Sequence, residues 1–393
     1  MTDDAPLIYL LAGEVSGDNL GGRIMQALKR RATVPLRFAG VGGDRMVGEG
    51  LSSLVPLSEL SIMGMAEIVP HIPRMYRLIW RLAADIRARK PAVVLTIDNT
   101  AFNFGVANRV RGHGIPLVHL NAPKVWAYRP GRVHRVARYY DHLLCLLPFE
   151  PPYFHKAGLP ASFIGHPVVE SGADRGDGAR FRQAHGVAPD APLLCMLPGS
   201  RRGEVTRLMP DFSGAVRLIA AATPGLRIVL PTVRAMEPLV RQAVADWPLQ
   251  PIVVLGDGEK YDAFDASDAA LAASGTVSLE LNLARVPMVI AYRVSASSAA
   301  IVRALVRVKH VTLANLVLGD RSVIPEVMQE DCTPERLSEA VLGLLRSPEA
   351  RADQARQGSE AMRLLGHGGP PPSLRAADIL LDIAGIPRLR GPA

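Results

Sequence analysis

The sequence predicts an α/β protein built as two doubly wound, parallel-sheet domains facing a cleft. Apolar, β-rich runs alternate with stretches of helical period along the whole chain, the rhythm of parallel strands joined by crossover helices. At 393 residues the chain is too long for one ordinary core and fits two domains. Its 48% hydrophobic and 21% charged residues describe a chain able to bury such cores, so extensive disorder is not expected.

In the first domain the expected strands are Leu7 to Ala12, Arg37 to Val41, Ala92 to Ile97, Pro116 to Asn121 and His142 to Leu147. The Gly/Asp-rich Ser171 to Gly178 has no apolar period and reads as the interdomain connection, giving domains at 1–170 and 171–365. Strands of the second domain are expected at Leu193 to Leu197, Arg227 to Leu230, Ile252 to Leu255, Ala269 to Ala273 and Met288 to Ala291. Gly368-Gly-Pro-Pro-Pro372 then breaks the pattern ahead of a tail, 366–393, whose helix, about Ser373 to Ala384, is expected to pack across the domains.

Composition narrows the function. Cys145, Cys195 and Cys332 are the three cysteines, far apart and without metal-type spacing, so neither a disulfide framework nor a metal site is expected. The N-terminus lacks a basic n-region and its apolar run is short, which leads us to expect a cytoplasmic protein. A net charge of +8 favours an anionic partner: a nucleotide sugar, a phospholipid surface or a nucleic acid. Nucleic acid is the weakest of these, because aromatics are only 5% and no nucleic-acid-binding motif is present.

Leu11-Ala12-Gly13-Glu14-Val15-Ser16-Gly17-Asp18 is a strand emptying into a Gly-rich, acid-bearing turn. Gly13 and Gly17 allow positive φ and close approach of backbone, and a helix starting near Gly17 or Asp18 aims free N–H groups into the turn. An ordinary β–α turn with Ser16 or Asp18 as N-cap fits these residues equally well. In the second domain, Gly199-Ser200-Arg201-Arg202 offers a diphosphate clamp of hydroxyl, N–H and guanidinium groups. Ser274-Gly275-Thr276 opens a further helix, capped by Ser274 or Thr276, with Glu280 one turn on to accept ribose hydroxyls; a simple capping arrangement also accounts for it. Asp98 ends an apolar strand facing the cleft, where it serves either as a general base or as the N-cap of the next helix. Trp126 and His166 stand at later strand ends, as cleft groups or as packed structural residues.

Together these segments resemble the lipid-A-disaccharide synthase family over nearly the whole chain. The landmarks are Ala12 to Asp18, Ile62-Met63-Gly64, Ile97-Asp98, Val125-Trp126-Ala127, Leu147-Pro148-Phe149-Glu150, Phe163 to Pro167, Leu197 to Arg201, Ala273 to Thr276 and Asn315-Leu316. The resemblance implies a GT-B glycosyltransferase of two Rossmann-like domains. It would join UDP-2,3-diacylglucosamine to 2,3-diacylglucosamine 1-phosphate (lipid X) with inversion, releasing UDP and needing no metal or other cofactor.

By that resemblance the second domain holds UDP through Ser200, Arg201, Ser274, Gly275, Thr276, Glu280 and Asn315. The first takes the acceptor through Gly13, Ser16, Gly17, Asp18, Trp126 and His166. Asp98 is the expected base and Arg201 neutralises the departing diphosphate. The family pattern Asp-x-Pro-Asp-Phe-Asn is here Asp98-Asn99-Thr100-Ala101-Phe102-Asn103; Ala101 has no carboxylate, which leaves Asp98 or Glu14 as the base. Lys124 and Tyr128 replace a small or polar residue and a Trp.

Lipid substrates imply attachment to the cytoplasmic face of the inner membrane of a Gram-negative bacterium. Met63 to Arg89 mixes Ile68, Val69, Ile72, Met75, Tyr76, Leu78, Ile79 and Trp80 with Arg74, Arg77 and Arg81, a pattern suited to an anionic surface. Ala300 to Lys309 has a similar mix, for which a buried helical face is the better account. Oligomeric state stays open, a homodimer included.

Three rivals stand beside this reading. One is another GT-B enzyme of a UDP-N-acetylhexosamine, either a lipid-linked N-acetylglucosaminyltransferase or a 2-epimerase. The second is a non-catalytic lipid-binding protein at the membrane surface. An NAD-dependent oxidoreductase is opposed by the missing Gly-x-Gly-x-x-Gly in the first turn.

Overall fold

The computed structural model describes residues 5–60, 72–128, 130–294 and 309–389. The chain divides into two compact units, Met1–Pro167 with Gly368–Ala393, and Val168–His367.

The first unit is built on a seven-stranded, all-parallel sheet in the order β3-β2-β1-β4-β5-β6-β7. Its strands are β1 (Leu7–Ala12), β2 (Arg37–Val41), β3 (Leu51–Ser53), β4 (Val93–Ile97), β5 (Leu117–Leu120), β6 (His142–Cys145) and β7 (Ala161–Phe163). Side chains from both faces of β1 and β4 are buried in two apolar clusters, which is why these strands read as unbroken apolar runs. Strand order reverses between β1 and β4, and the carboxyl ends at such a switch point are where doubly wound sheets bind ligands.

Helix Pro372–Ile383 belongs to this first unit and lies on helix Val15–Arg31. Ala376, Ala377, Leu380 and Leu381 are fully buried there, and each leucine contributes on the order of 2 kcal/mol by burial. The Arg31 guanidinium grips Asp378 with two bonds, of 2.7 and 3.1 Å.

The second unit carries a six-stranded parallel sheet in the order β10-β9-β8-β11-β12-β13. The strands are β8 (Leu193–Leu197), β9 (Arg227–Thr232), β10 (Ile252–Leu255), β11 (Ala269–Ala273), β12 (Met288–Tyr292) and β13 (Glu326–Met328). Here the switch point falls between β8 and β11.

Several expectations change at this level. The first helix begins at Val15, with extended Glu14 as N-cap and no side-chain capping bond, rather than near Gly17. Gly13 and Gly17 are absent from the left-handed residues; what Gly13 supplies is space, since a Cβ there would stand 2.5 Å from Asn99 Cβ. Asp18, expected to touch an acceptor, is 4% exposed, and its carboxylate accepts the N–H groups of Gly43, Arg45 and Met46 at 2.8–3.1 Å. It caps the neighbouring helix Asp44–Gly48 instead. No helix among the described residues is long and apolar enough to cross a membrane.

Candidate active site

In the second unit, the carboxyl ends of β8, β9, β10 and β11 surround a cavity of 640 Å³. The turn after β8 approaches it closely because Gly199 takes φ +116°, and the turn after β10 does so through Gly256 at φ +96°. Ser200 and Arg201 line one wall, and Ser274, Gly275 and Thr276 the turn beside it, as the sequence led us to expect. Thr276 already has helical backbone and makes no side-chain capping bond, so the capping alternative does not describe it.

Glu280 also lines the cavity, held by Lys260 Nζ at 3.2 and 3.3 Å and by the Tyr261 hydroxyl at 3.3 Å. Burial alone would lower the Lys260 ammonium; Glu280 and Asp257 overcome it and raise its pKa above the ordinary value. The charged Lys260 thus fixes Glu280 as an oriented carboxylate.

Asn315 is a correction. It is fully buried, and its amide is consumed by the N–H groups of Val323 and Ile324, the Ile324 carbonyl and the Glu326 carboxylate, all at 2.9–3.1 Å. It pins a loop rather than lining the cavity.

Sequence reasoning missed Thr232, Arg234 and Lys260, which line the same cavity. Thr232 Oγ1 is buried without a partner among the described residues. The usable signal was positional, since the ends of β9 and β10 flank the switch point.

In the first unit, β4 runs into Asp98 and Asn99, both left-handed at φ +52° and +35°, and β5 into Asn121 at φ +71°. Three left-handed, non-glycine residues at the ends of two adjacent strands store backbone strain, and the packing holds them in place. Asn121 Nδ2 donates to Asp98 Oδ1 at 2.5 Å and Ser16 bonds the same carboxylate, while Asn103 donates to the Asp98 carbonyl at 2.8 Å. Gly17 lies beside the same carboxylate, but a Cβ there would stand 3.7 Å from Asp98 Oδ2, an ordinary contact, so the helix does not require glycine at this position. Burial raises the Asp98 pKa above the usual carboxylate range; Asn121, Ser16 and the Lys124 charge oppose the rise. A base with that shift releases a captured proton less readily to water and takes one more readily from a hydroxyl.

Gly13, Ser16, Gly17 and Asp98 are therefore brought together. Glu14 is exposed and makes no ion pair with a described residue. Trp126 is half-buried, its indole N–H bonded to Glu150 Oε1 at 3.1 Å. Glu150 is 2% exposed and also accepts the N–H groups of Leu146 and Leu147; burial pushes its pKa up to about 7 despite those bonds. His166 is pushed down to about 4 by burial and by the Lys124 charge, and is neutral.

On helix Ile72–Arg89, Leu78 and Ile79 turn into the core, whereas Tyr76 and Trp80 are 55% exposed beside Arg77 and Arg81. Arg74 pairs with Glu59 at 3.3 Å, and Arg109 covers the Trp80 ring at 4.5 Å. Ile62-Met63-Gly64, Ile68, Val69 and the Ala300 to Val308 part of the other basic stretch lie outside the described residues.

The sequence model of the family described as lipid-A-disaccharide synthetase matches residues 8–367. The lipid-A-disaccharide synthase of Rhodospirillum centenum is 52% identical over 379 residues, 96% of this chain and 94% of that one. The same-named protein of Paramagnetospirillum magneticum is 49% identical over 380 residues, 96% and 97% of the two chains. Among solved structures, the UDP-GlcNAc 2-epimerase from Neisseria meningitidis bound to UDP-GlcNAc aligns with TM-score 0.60 at 14% identity, covering 96% of this chain and 98% of that one. Acinetobacter baumannii MurG aligns with TM-score 0.60 at 14% identity, covering 96% and 99%. At such identities the likeness is of fold alone: two doubly wound units in the GT-B manner.

Proposed function

The chain belongs to the lipid-A-disaccharide synthetase family, and on that premise we propose that it transfers diacylglucosamine from UDP-2,3-diacylglucosamine to the 6-hydroxyl of lipid X. The observation that carries this reading is the family match across residues 8–367, joined by 52% identity to a lipid-A-disaccharide synthase. It supports a glycosyltransferase of lipid A biosynthesis and does not favour the epimerase or binding-protein rivals; inversion belongs to the reading proposed here.

In the reaction, the acceptor 6-hydroxyl gives its proton to the Asp98 carboxylate and its oxygen attacks the anomeric carbon. The bond from that carbon to the diphosphate breaks, and UDP leaves with the electron pair on the opposite face. Asp98 is favoured over Glu14 as base because it is oriented by Asn121 and Ser16, whereas Glu14 has no partner holding it among the described residues. Ser200, Arg201 and the Ser274 to Thr276 turn take the diphosphate, and Arg201 meets the charge growing on it. Glu280, oriented by Lys260, accepts from the ribose hydroxyls. The turn bearing Gly13, Ser16 and Gly17, with Trp126 and His166, takes the acceptor, and Arg74, Arg77, Trp80 and Arg81 rest on an anionic inner-membrane surface.

The test is UDP release by purified protein given UDP-diacylglucosamine with and without lipid X, in EDTA, beside Asp98→Ala. Acceptor-dependent release that survives EDTA and collapses in the variant supports the transferase and its base. Lipid binding without UDP release would sink it in favour of a binding protein, and acceptor-independent turnover would point to a hydrolase or epimerase.

A further inference from the structure

The anion-receptive turn after β8 already holds an anion. Glu204, in the first turn of helix Arg202–Ala222, folds back so that its Oε2 accepts the N–H groups of Ser200 and Arg201 at 3.2 and 3.3 Å. Its Oε1 accepts from Arg201 Nη1 at 3.1 Å. The turn is shaped around this carboxylate: a Cβ at Gly199 would stand 2.7 Å from Oε2 and 2.8 Å from Glu204 Cβ. All of these residues line the 640 Å³ cavity.

The backbone N–H groups and guanidinium that Glu204 occupies are the donors assigned above to the substrate diphosphate. Two anions cannot share one set of donors without repulsion. We propose that Glu204 is an internal stand-in for the diphosphate: it holds the turn and Arg201 ready in the free protein and is displaced when UDP or the UDP-sugar binds. This rests on the reading of the Arg201 turn as the diphosphate site.

The arrangement has a use in turnover. A turn with no anion would either collapse or bind the product UDP tightly. Glu204 supplies a competitor at very high effective concentration, tethered beside the site, and so speeds UDP release. Thr232, whose hydroxyl has no partner among the described residues, and Arg234 also line the cavity and remain for the ligand.

The experiment is calorimetric titration of UDP and of uridine into the full chain, with Glu204→Gln and Glu204→Ala beside the unchanged protein. Gln keeps a carbonyl for the capping bonds and removes only the charge, so the fold is retained. The expected result is UDP affinity about three- to tenfold tighter in Glu204→Gln, from loss of an exposed ion pair and a helix-end charge of that size, with uridine affinity unchanged. Glu204→Ala should tighten UDP similarly while its melting temperature without ligand falls. UDP binding that is unchanged or weaker in Glu204→Gln would overturn the stand-in and leave Glu204 a positioning residue for Arg201. A gain shared equally by uridine would overturn it too. If the unchanged protein binds UDP no better than uridine, the diphosphate reading itself fails, which is a different outcome from either.

Discussion

Asn121 donates its side-chain amide to the Asp98 carboxylate at 2.5 Å, across the ends of the adjacent strands β5 and β4. A bond to the charged form works against the burial that raises the Asp98 pKa. Removing it in Asn121→Leu therefore raises that pKa further, and a base held protonated is inactive. The expected loss in kcat/KM is about 10- to 100-fold at pH 6 and smaller at pH 8.5. A loss equal at both pH values would mean that Asn121 acts on geometry alone.

Lys124 is exposed and its charge is felt by Asp98, Glu150 and His166. It favours ionised Asp98, so Lys124→Met should move the acidic limb of the pH–rate profile upward, costing about two- to fivefold in kcat/KM at pH 6 and little at pH 8. Because the ammonium faces water, raising the salt concentration should reproduce part of this shift in the unchanged protein and none in the variant. An acidic limb unmoved by both changes would remove Lys124 from the account.

Gly13→Ala tests the close approach of two turns. Its Cβ would lie 2.5 Å from Asn99 Cβ and 2.8 Å from Asn99 Nδ2, and Asn99 directly follows Asp98, the proposed base, in a left-handed backbone. The turn must shift, at a cost of about 1–3 kcal/mol in stability and at least about tenfold in kcat. Full activity in a well-folded Gly13→Ala would show that the first turn and Asp98 are not coupled.

What the sequence made legible follows from burial. Strands β1, β2, β8, β10 and β11 were read to the residue because apolar runs bounded by turn residues mark strands of such sheets. Strands β3, β7 and β13 were missed; each has three residues and lies at a sheet edge, too short for any period to register. Gly13 supplies space rather than the positive φ expected of it, which no local pattern shows because its clash partner Asn99 is 86 positions away in sequence. Asp18 looked like a ligand contact because a polar residue near a Gly-rich turn looks alike whether it faces a ligand or caps a neighbouring backbone, while Asn315 rested on the resemblance alone, with no local pattern to show that its amide is spent on a loop. Lys260 was invisible because its meaning depends on Glu280, on another helix.

Glu150 gives stability a pH dependence of definite sign. Its pKa rises from 4.5 unfolded to about 7 folded, so the folded state holds a proton that the unfolded chain releases. That contribution is complete below pH 4.5 and is lost as pH rises through about 7. Glu150→Gln has no proton to lose. Denaturant unfolding of both proteins from pH 5 to pH 8 should show the variant gaining on the unchanged protein by up to the order of 3 kcal/mol. A gap that narrows with rising pH would mean that the Trp126 and backbone bonds outweigh burial and that Glu150 is charged throughout.

The membrane proposal separates into a charged and an aromatic part on helix Ile72–Arg89. Arg77 and Arg81 have no ion-pair partner among the described residues, whereas Arg74 is partly neutralised by Glu59. Each free basic side chain near an anionic leaflet contributes about 1 kcal/mol, so Arg77→Glu with Arg81→Glu should lower sedimentation with phosphatidylserine vesicles by well over about tenfold. Arg74→Glu should do less, and Arg346→Glu, an exposed change in the second unit, should do nothing. Trp80 and Tyr76 add apolar area that salt does not screen, so Trp80→Ser should weaken binding equally at low and high salt. The three arginine changes must lose their effect as salt rises. Sedimentation indifferent to Arg77, Arg81 and Trp80 would move the membrane contact off this helix, since charge and aromatic area are the two forces it exposes.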